Sequence, residues 1–430
     1  FMSIPVITYG DTFTDFVGGL ERLHGPVTVV RRCGALAELI AACQTGLARA
    51  AIVAGDTSEL GISVLDRLHS SQVAVVVLTD DEGERRRFDA LGIAQGSVLM
   101  EPLELACLIT EAVATLPETG TQMAGSYADP AHALLPVGIP DEQPAELSAG
   151  GQVIAVWGPP GAPGRTTVAV NLAAEYAASG KKTLLIDADT YSASVAAFLG
   201  LMDESAALAQ ACRLADQGIL DGPALARVSV KVAVQGAHLQ VLTGITRAER
   251  WPELRPGAVS TVVGLARSQA EYTIIDCGFC LEADEELSFD TMAPRRNGAT
   301  LRCLELADTV FAVGAADAVG VPRLVRALAE IEHAVPSAAP RVVLNKVRAS
   351  SIGSAPVDQL RQSWERFGPL KEVHSFLPAD FDVADAALLS GSVLLESAPD
   401  SPLRHAIALL AGRELPVRGN SSRRYKRLKV

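Results

Sequence analysis

The chain has 430 residues, of which 49% are hydrophobic, so it is long enough for two or three domains with buried cores. Its formal net charge of -13 disfavours a surface built throughout for DNA or anionic lipid, because like charges repel phosphate. Seven cysteines at irregular spacings, without a charged and then apolar leader, predict reduced thiols in the cytoplasm rather than a secreted disulfide framework. No apolar run approaches the ~18 residues that cross a bilayer, so we expect no transmembrane segment.

Short apolar runs alternate with helix-length segments over residues 3–116. Five such runs, IPVITYG, PVTVVRR, RAAIVAG, VAVVVLTD and GSVLMEP, predict a small doubly wound α/β domain. The order of these elements resembles the receiver domains of response regulators, which implies a flavodoxin-like fold for this segment.

The residues with which a receiver accepts a phosphoryl group are mostly replaced here. The resemblance matches Thr79 and Pro102 to the family, but it puts Val53 at the phosphorylated position and Glu101 at the lysine. An apolar side chain cannot accept a phosphoryl group, and a carboxylate at the lysine site would repel one. We therefore predict a pseudo-receiver that binds a partner or dimerises. The nearby acids are interpreted as loop caps and solvated residues: Asp11, Asp56, Asp80 and Asp81.

Two segments lack the periodicity of a folded domain. Residues 117–150 are rich in proline and glycine and predict an exposed, poorly ordered linker. Residues 413–430 hold seven Arg or Lys residues and one Glu, which predicts a mobile basic tail. A solvated tail and a peripheral contact with an anionic membrane or nucleic acid both stay open for this segment.

Strand-like runs resume in residues 151–412 and are more apolar than before. They are QVIAVWG, KTLLIDAD, LQVLTG, YTIIDCG, DTVFAVGA and RVVLNKV. Apolar, β-branched runs without polar alternation are typical of a parallel sheet that is buried on both faces.

A phosphate-binding loop is predicted at GPPGAPGRTT, residues 158–167, between a strand-like and a helix-like run. In this context the backbone N–H groups at the helix start face a phosphate chain, and the helix dipole favours the anion. Thr166 would offer its hydroxyl to magnesium. The lysine that usually ends such a loop is replaced by Arg165.

Acidic residues end two of the later strand-like runs. LLIDAD puts Asp187 and Asp189 at the carboxyl end of its strand, where open α/β sheets place their ligands. YTIIDCG puts Asp276 at a third strand end, as expected of an acid that holds magnesium through water, and Gly278 follows.

Taken together, these motifs resemble the MinD/ParA superfamily of deviant Walker A ATPases, which implies a parallel-sheet P-loop NTPase domain over residues 151–412. The resemblance rests on GPPGAPGRTTVAVNLA, LLIDADTYSASVAAFLGL, YTIIDCG, LELADTVFAVGAADAVGVPRLVRAL, RVVLNKV and DVADAALLSGSVLLESAPDSPLRHAIALLA. With a pseudo-receiver in front, the chain is most similar to the CpaE/TadZ proteins, which place and assemble Tad-type pili at the cell pole. Related proteins are described as septum-site-determining proteins.

This resemblance implies ATP or ADP and Mg²⁺ as cofactors, and it gives each matching residue a role. The residues implied around the nucleotide are Gly158, Gly161, Gly164, Arg165, Thr166 and Thr167 at the phosphates and Asn345 at the adenine edge. The residues implied in catalysis are Asp189, which orients the attacking water, Asp187 and Arg165. The residues implied at Mg²⁺, partly through water, are Thr166, Asp187 and Asp276.

The loop departs from the family pattern where charge matters. It is one residue longer than the usual GKGGxGKT form, and the signature lysine, which in this family reaches across a dimer to the partner's nucleotide, falls at Pro159 or Pro160. Arg165 keeps a positive charge but is bulkier than the compact ammonium. Losing a charge that stabilises phosphoryl transfer costs on the order of 10³ or more in rate. We therefore expect ATP binding with slow or undetectable hydrolysis.

Functions of different classes fit these motifs and stay open. The first is a nucleotide-dependent positioning protein that forms a homodimer and recruits a pilus-assembly or division machine, in the cytoplasm at a pole or at the membrane periphery. The alternative is a pseudo-ATPase scaffold that dimerises and binds partners without nucleotide. A third, a metabolic ATP-using enzyme, would need catalytic residues beyond the loops, and we find no convincing set.

Two smaller features have ordinary and functional interpretations side by side. Cys277 and Cys280 have C-x-x-C spacing, but a zinc site needs two more ligands and the sequence offers no partner pair. The acidic stretch from Glu282 to Asp290 is typical of a solvated helix face and alternatively of a partner-binding segment.

Overall fold

A computed structural model describes most of the chain. The described residues are 3–10, 16–23, 25–55, 57, 60–61, 64–65, 68–69, 71–116, 150–201, 205–282, 295–369 and 371–413. Several predicted features lie outside them: Asp11, Asp56, the linker up to residue 149, the acidic stretch after Glu282 and the tail after Arg413. What the sequence predicts for these segments stays a prediction.

The amino-terminal part forms a parallel sheet with helices on its faces. Within the described ranges its strands are β1 (Ile4–Tyr9), β2 (Val27–Cys33), β3 (Ala50–Ala54), β4 (Ala74–Leu78) and β5 (Ala94–Gly96). The helices described here are α1 (Phe16–Leu23), α2 (Leu36–Gln44), α3 (Glu82–Ala90) and α4 (Pro102–Ala114). The strand order β2-β1-β3-β4-β5 is the flavodoxin-like order, as predicted for this domain.

The fifth strand of this sheet differs from the prediction. The run GSVLMEP begins at Gly96, whereas β5 spans Ala94–Gly96 and therefore ends where the run begins. The apolar side chains of Val98 and Met100 pack against the core from the turn that follows, so they read as a strand without forming one.

The carboxyl-terminal part contains a larger sheet. In the portion of the chain that is described, its strands are β6 (Gln152–Trp157), β7 (Thr183–Ala188), β8 (Val230–Val234), β9 (Ala237–Leu242), β10 (Tyr272–Cys277), β11 (Thr309–Ala315), β12 (Pro340–Val347) and β13 (Val373–Pro378). They lie in the order β13-β12-β11-β6-β10-β7-β9-β8.

Helices cover both faces of this sheet. The longer ones are α5 (Arg165–Ala178), α7 (Ala207–Asp216), α9 (Pro256–Gln269), α10 (Gly298–Leu306), α11 (Gly320–Ala334), α13 (Pro356–Phe367), α14 (Phe381–Ser390) and α16 (Pro402–Leu410). The shorter ones are α6 (Val195–Phe198), α8 (Gly222–Val228), α12 (Ala349–Ile352), α15 (Leu394–Ser397) and a 3₁₀ helix at Ala248–Glu253.

Residues of β6 show how both faces are filled. Val153, Ala155 and Trp157 belong to the core on one face, and Ile154 and Val156 belong to the core on the other. This explains why the strands read as continuous apolar runs rather than alternating ones.

The predicted parallel sheet is confirmed, and it carries one antiparallel strand at its edge. Strand β8 pairs antiparallel with β9, while the other pairings are parallel. Gln235 and Gly236 connect the two strands with φ values of 45° and 83°, the left-handed backbone that suits a two-residue hairpin. The sheet is therefore mixed, and sequence reasoning missed both β8 and the opposite edge strand β13.

Candidate functional site

The predicted acidic residues meet at the carboxyl ends of neighbouring central strands. β10 lies between β6 and β7, and Asp276 of β10 stands directly opposite Asp187 of β7 in the parallel register. β6 runs directly into the glycine-rich loop. Later strands of the chain lie on both sides of β6 in the sheet, which is the arrangement at which open α/β sheets bind ligands. Burial of the strands thus brings the loop and the acids to one edge.

Glycines give the loop a shape that other residues cannot adopt. Gly164 precedes the first residue of α5 with φ 95°, and a Cβ on it would collide with the side-chain amide of Asn345. A Cβ on Gly158 would collide with the carbonyl oxygen of Val313 in β11. Gly161 has φ 109°. The loop therefore lies close to its neighbours and leaves the N–H groups at the start of α5 available to an anion.

Three donors hold the carbonyl groups of this loop. Asn345 donates from Nδ2 to the Pro163 oxygen at 2.8 Å, Lys346 from Nζ to the Ala162 oxygen at 2.7 Å, and Arg165 from Nη1 to the Gly158 oxygen at 2.9 Å. Asn345 also accepts from the N–H of Lys346 through Oδ1. The amide of Asn345 is thus engaged with the loop, and its role at an adenine edge stays a prediction.

Arg165 lies inside the candidate site rather than at its rim. Its Nη2 donates to Oδ2 of Asp189 at 3.0 Å, and the two side chains are 12% and 4% exposed. The guanidinium also lies over the ring of Phe279, 5.9 Å from its centre. The residue at the lysine position is therefore paired with the predicted catalytic carboxylate.

Thr166 connects the loop to the acid of β10. Its hydroxyl donates to Oδ2 of Asp276 at 2.6 Å and lies 3.2 Å from the hydroxyl of Ser194. The other oxygen of Asp276, Oδ1, is buried and has no hydrogen-bond partner among the described residues. A buried carboxylate oxygen without a partner is costly, so a ligand that approaches it is expected to stabilise the site.

These residues fit Mg²⁺. The hydroxyl of Thr166 and the unpartnered oxygen of Asp276 are hard oxygen donors, which this ion prefers, and Mg²⁺ commonly completes its coordination with water and phosphate oxygens. Among the described residues, no group of three or more His, Cys, Asp or Glu side chains could hold a metal alone. An ion here would take its further ligands from water or from the phosphates of a nucleotide.

Asp187 is tied to the backbone of the next segment. It accepts from the N–H of Val195 at 2.9 Å and of Asp189 at 3.3 Å. Burial raises its pKa to about 7 although these N–H groups lower it. Burial and the charge of Asp187 raise the pKa of Asp276 well above its ordinary value, against the hydrogen bond from Thr166 and the charge of Arg165.

A layer of aromatic and cationic residues that sequence reasoning missed borders the acids. Tyr191 packs against Phe279 with ring centres 4.7 Å apart, and its hydroxyl donates to Asn297 at 2.8 Å. The guanidinium of Arg296 lies 3.8 Å from the centre of the Tyr191 ring and donates to the Thr190 oxygen. This layer connects the segment that follows β7 with the residues that follow β10. Tyr191 lies two residues after Asp189 of LLIDAD, and an aromatic residue at this position was the one signal in the sequence that could have indicated the layer.

The predicted site residues fall into groups. Those at the loop and the first turn of α5 are Gly158, Gly161, Gly164, Arg165, Thr166 and Thr167. The strand-end acids Asp187, Asp189 and Asp276 gather around Arg165 and Thr166, and Asn345 lies on the other side of the loop. The structure brings these residues together, while their assignment to phosphate, metal or base remains a prediction.

The first cysteine of the C-x-x-C pair is not suited to a reactive role. Cys277 is fully buried, and a hydrogen bond with Cys303, together with burial, raises its pKa well above the ordinary value. Cys280 is partly exposed, and both are free thiols. A buried thiol with a raised pKa is a poor nucleophile and a poor metal ligand.

A family model decides the class of this domain. The model of the CobQ/CobB/MinD/ParA nucleotide binding domain (CbiA) matches residues 154–391. The chain belongs to this family. The match begins in β6 and includes the loop, the strand-end acids and Asn345, so family membership covers the candidate site.

Solved structures with a similar fold include MinD and ParA proteins. A ParA family ATPase from Chlorobium tepidum is 20% identical with a TM-score of 0.49, and the match covers 61% of this chain and 98% of the other. The cell division ATPase MinD from Pyrococcus furiosus is 19% identical with a TM-score of 0.45, covering 61% and 97%. The septum site-determining protein MinD of Pyrococcus horikoshii, complexed with Mg-ADP, is 18% identical with a TM-score of 0.46, covering 61% and 94%. No curated protein sequence matches this chain.

Of the helices in the described ranges, none has both the length and the apolar character that crossing a bilayer requires.

Proposed function

We propose that this chain binds ATP together with Mg²⁺ at the loop of residues 158–167. The observation that carries the proposal is the contact of Thr166 with Asp276, whose second oxygen is buried without a partner in the described part of the chain. This pair lies at the start of α5, where the helix dipole favours a phosphate. Mg²⁺ would supply charge neutralisation at the phosphates, and Thr166 and Asp276 would position it.

Hydrolysis is expected to be slow in this proposal. Arg165 is paired with Asp189, so its charge is partly neutralised before a nucleotide enters. Its planar head also cannot reproduce the compact ammonium of the usual lysine. Asp189 would orient the attacking water only after this pair opens, which adds a step before chemistry.

The wider function that we propose is nucleotide-dependent positioning. Binding of ATP would close two copies of the chain into a homodimer, and the dimer would recruit a Tad pilus assembly or a septum-placement machine. This proposal rests on the resemblance of the sequence to the CpaE/TadZ proteins and on family membership of the ATPase domain. A pole or the membrane periphery would be the location, and the basic tail would contribute to the latter.

The amino-terminal domain would act in this proposal as a pseudo-receiver that binds a partner or a second copy. Val53, at the phosphorylated position of the resemblance, is a buried residue of β3. Thr79 donates to Oε2 of Glu84 at 2.5 Å, and Thr57 donates to the other oxygen of the same carboxylate. The Thr79 hydroxyl, which a phosphoryl group would need, is thus already bonded to a carboxylate. This supports a domain without phosphoryl transfer.

A scaffold that works without nucleotide is the second candidate. The ion pair between Arg165 and Asp189 favours it, because the charge of the arginine at the lysine position is balanced without a ligand. The two candidates differ in whether ATP changes the assembly state of the chain.

Calorimetric titration of the full chain with ATP, in the presence and absence of Mg²⁺, tests the proposal. We expect Mg²⁺-dependent binding that Thr166→Ala abolishes and Thr110→Ala leaves unchanged. Thr110 of α4 is the matched control for the same substitution, because its hydroxyl donates to the Ala106 carbonyl of its own helix. No heat of binding at millimolar ATP would contradict the proposal and leave the scaffold.

A further inference from the structure

A third cation, besides Arg165 and Lys346, lies beside the glycine-rich loop. Arg323 belongs to the first turn of α11, the helix that follows β11, and is exposed. A Cβ built on Gly161 would come within 2.6 Å of its Nη1, so the guanidinium lies directly against the loop backbone. Arg323 lies in the run LELADTVFAVGAADAVGVPRLVRAL, but the resemblance gave this residue no role.

The loop and α11 enclose a small cavity at this point. Its volume is about 110 Å³, and Arg323 lines it together with Pro159, Pro160 and Gly161. The signature lysine of the family would fall at Pro159 or Pro160, so Arg323 faces the position that lacks it. A positive charge is therefore present in the same place, although it comes from another element.

The charge of Arg323 is available to a ligand. The guanidinium of Arg323 forms no hydrogen bond, ion pair or ring contact with the residues that the structure describes, although the backbone N–H of this residue donates to the Val319 carbonyl. Asp317, an acid that lines the same cavity, accepts from the N–H groups of Val319 and Gly320. Arg165, by contrast, is paired with Asp189.

We propose that Arg323 contacts the phosphate chain of the nucleotide that a second copy of this chain holds. The proposal rests on the proposed ATP binding and dimerisation, and it replaces the missing signature lysine by a guanidinium from α11. An exposed arginine suits this contact, because its planar fork can bind two phosphate oxygens across an interface. Groups that serve the chain's own nucleotide, such as Thr166, lie deeper in the site.

Two measurements on Arg323→Ala test the proposal. The first is ATP affinity at protein concentrations where the chain is monomeric, and the second is the dissociation constant of the ATP-bound dimer. We expect unchanged monomer affinity and a dimer weakened by about 10- to 100-fold, the effect of losing a hydrogen bond to a charged group. The salt dependence of dimerisation should also decrease, which the loss of a merely structural contact would not cause. Arg323→Lys should restore part of the dimer.

Arg326→Ala is the matched control, because Arg326 is an exposed arginine of the same helix that does not line this cavity. Unchanged dimerisation of Arg323→Ala would overturn the proposal. A loss of ATP affinity by monomeric Arg323→Ala would also overturn it, because the contact would then lie within one chain. If wild-type protein binds no ATP, the proposed function itself fails and this inference fails with it.

Discussion

Arg165 and Asp189 form an ion pair of 3.0 Å at the base of the phosphate-binding loop. Both residues are largely buried, and Arg165 also holds the Gly158 carbonyl. The arginine that replaces the usual lysine is therefore part of the loop's own structure. A nucleotide would have to draw this guanidinium away from Asp189 or share it.

Replacing Arg165 by lysine should speed hydrolysis. A lysine ammonium is compact enough to contact phosphate oxygens. It lacks the planar two-armed head with which the guanidinium of Arg165 holds Asp189 and the Gly158 carbonyl together. We expect Arg165→Lys to raise steady-state phosphate release by about tenfold or more, within the large effects that such charges have on phosphoryl transfer. The added substitution Asp189→Asn should abolish this gain. A variant slower than wild type would mean that the arginine itself is the working cation.

Adding one methyl group to the loop should abolish nucleotide binding. Gly164→Ala places a Cβ against Asn345 at φ 95°, whereas Gly180→Ala has a similar φ of 84° with no atom within 4 Å. Both variants carry the left-handed backbone cost of about 1–2 kcal/mol, so their difference in unfolding free energy isolates the collision. Titration should show lost ATP binding in Gly164→Ala alone. Equal behaviour of the two variants would refute this account of the loop.

Asn345→Ala separates loop support from base recognition. Because Asn345 donates to the Pro163 carbonyl, its loss should loosen the loop and weaken ATP and GTP binding by the same factor. Competition between the two nucleotides for one labelled analogue measures this ratio. Weakening confined to ATP would instead support the adenine role implied by the sequence.

Removing one partner of a buried ion pair should cost much stability, because the remaining charge stays buried. Arg404 of α16 donates to Glu175 of α5 at 2.6 and 3.1 Å, with side chains 9% and 1% exposed. Arg404→Met leaves this carboxylate with Arg413 as its remaining cation and should cost about 3 kcal/mol in urea unfolding. Lys181→Met, which breaks an exposed pair with Glu271, should leave the unfolding midpoint unchanged. Equal unfolding midpoints for the two variants would contradict the view that breaking the buried pair costs more stability than breaking the exposed one.

Patterns of buried strands made much of this fold predictable from sequence. Asp187 and Asp276 were expected at one edge because each ends an apolar run, and parallel register puts them side by side. Strand β8 was missed because an edge strand is half solvated and its hairpin uses Gln235 in a left-handed conformation that the sequence does not signal.

The site was less predictable where the backbone conformation determines which side chains reach the loop. Lys346 reaches the loop from φ 60°, a conformation rare for lysine, so its contact with Ala162 could not be read from the motif LNK. Arg323 approaches Gly161 only because β11 lies next to β6 in the sheet. Contacts between segments far apart in sequence follow from topology, which periodicity alone does not supply.

Light scattering after size exclusion measures most directly whether nucleotide controls assembly. The full chain would be compared without nucleotide, with Mg-ADP and with Mg-ATP, and Thr166→Ala would be run in each condition. The proposed switch predicts a doubling of the molar mass with Mg-ATP alone, absent in Thr166→Ala. The same mass in all conditions, whether of a monomer or of a dimer, would contradict it and favour the scaffold.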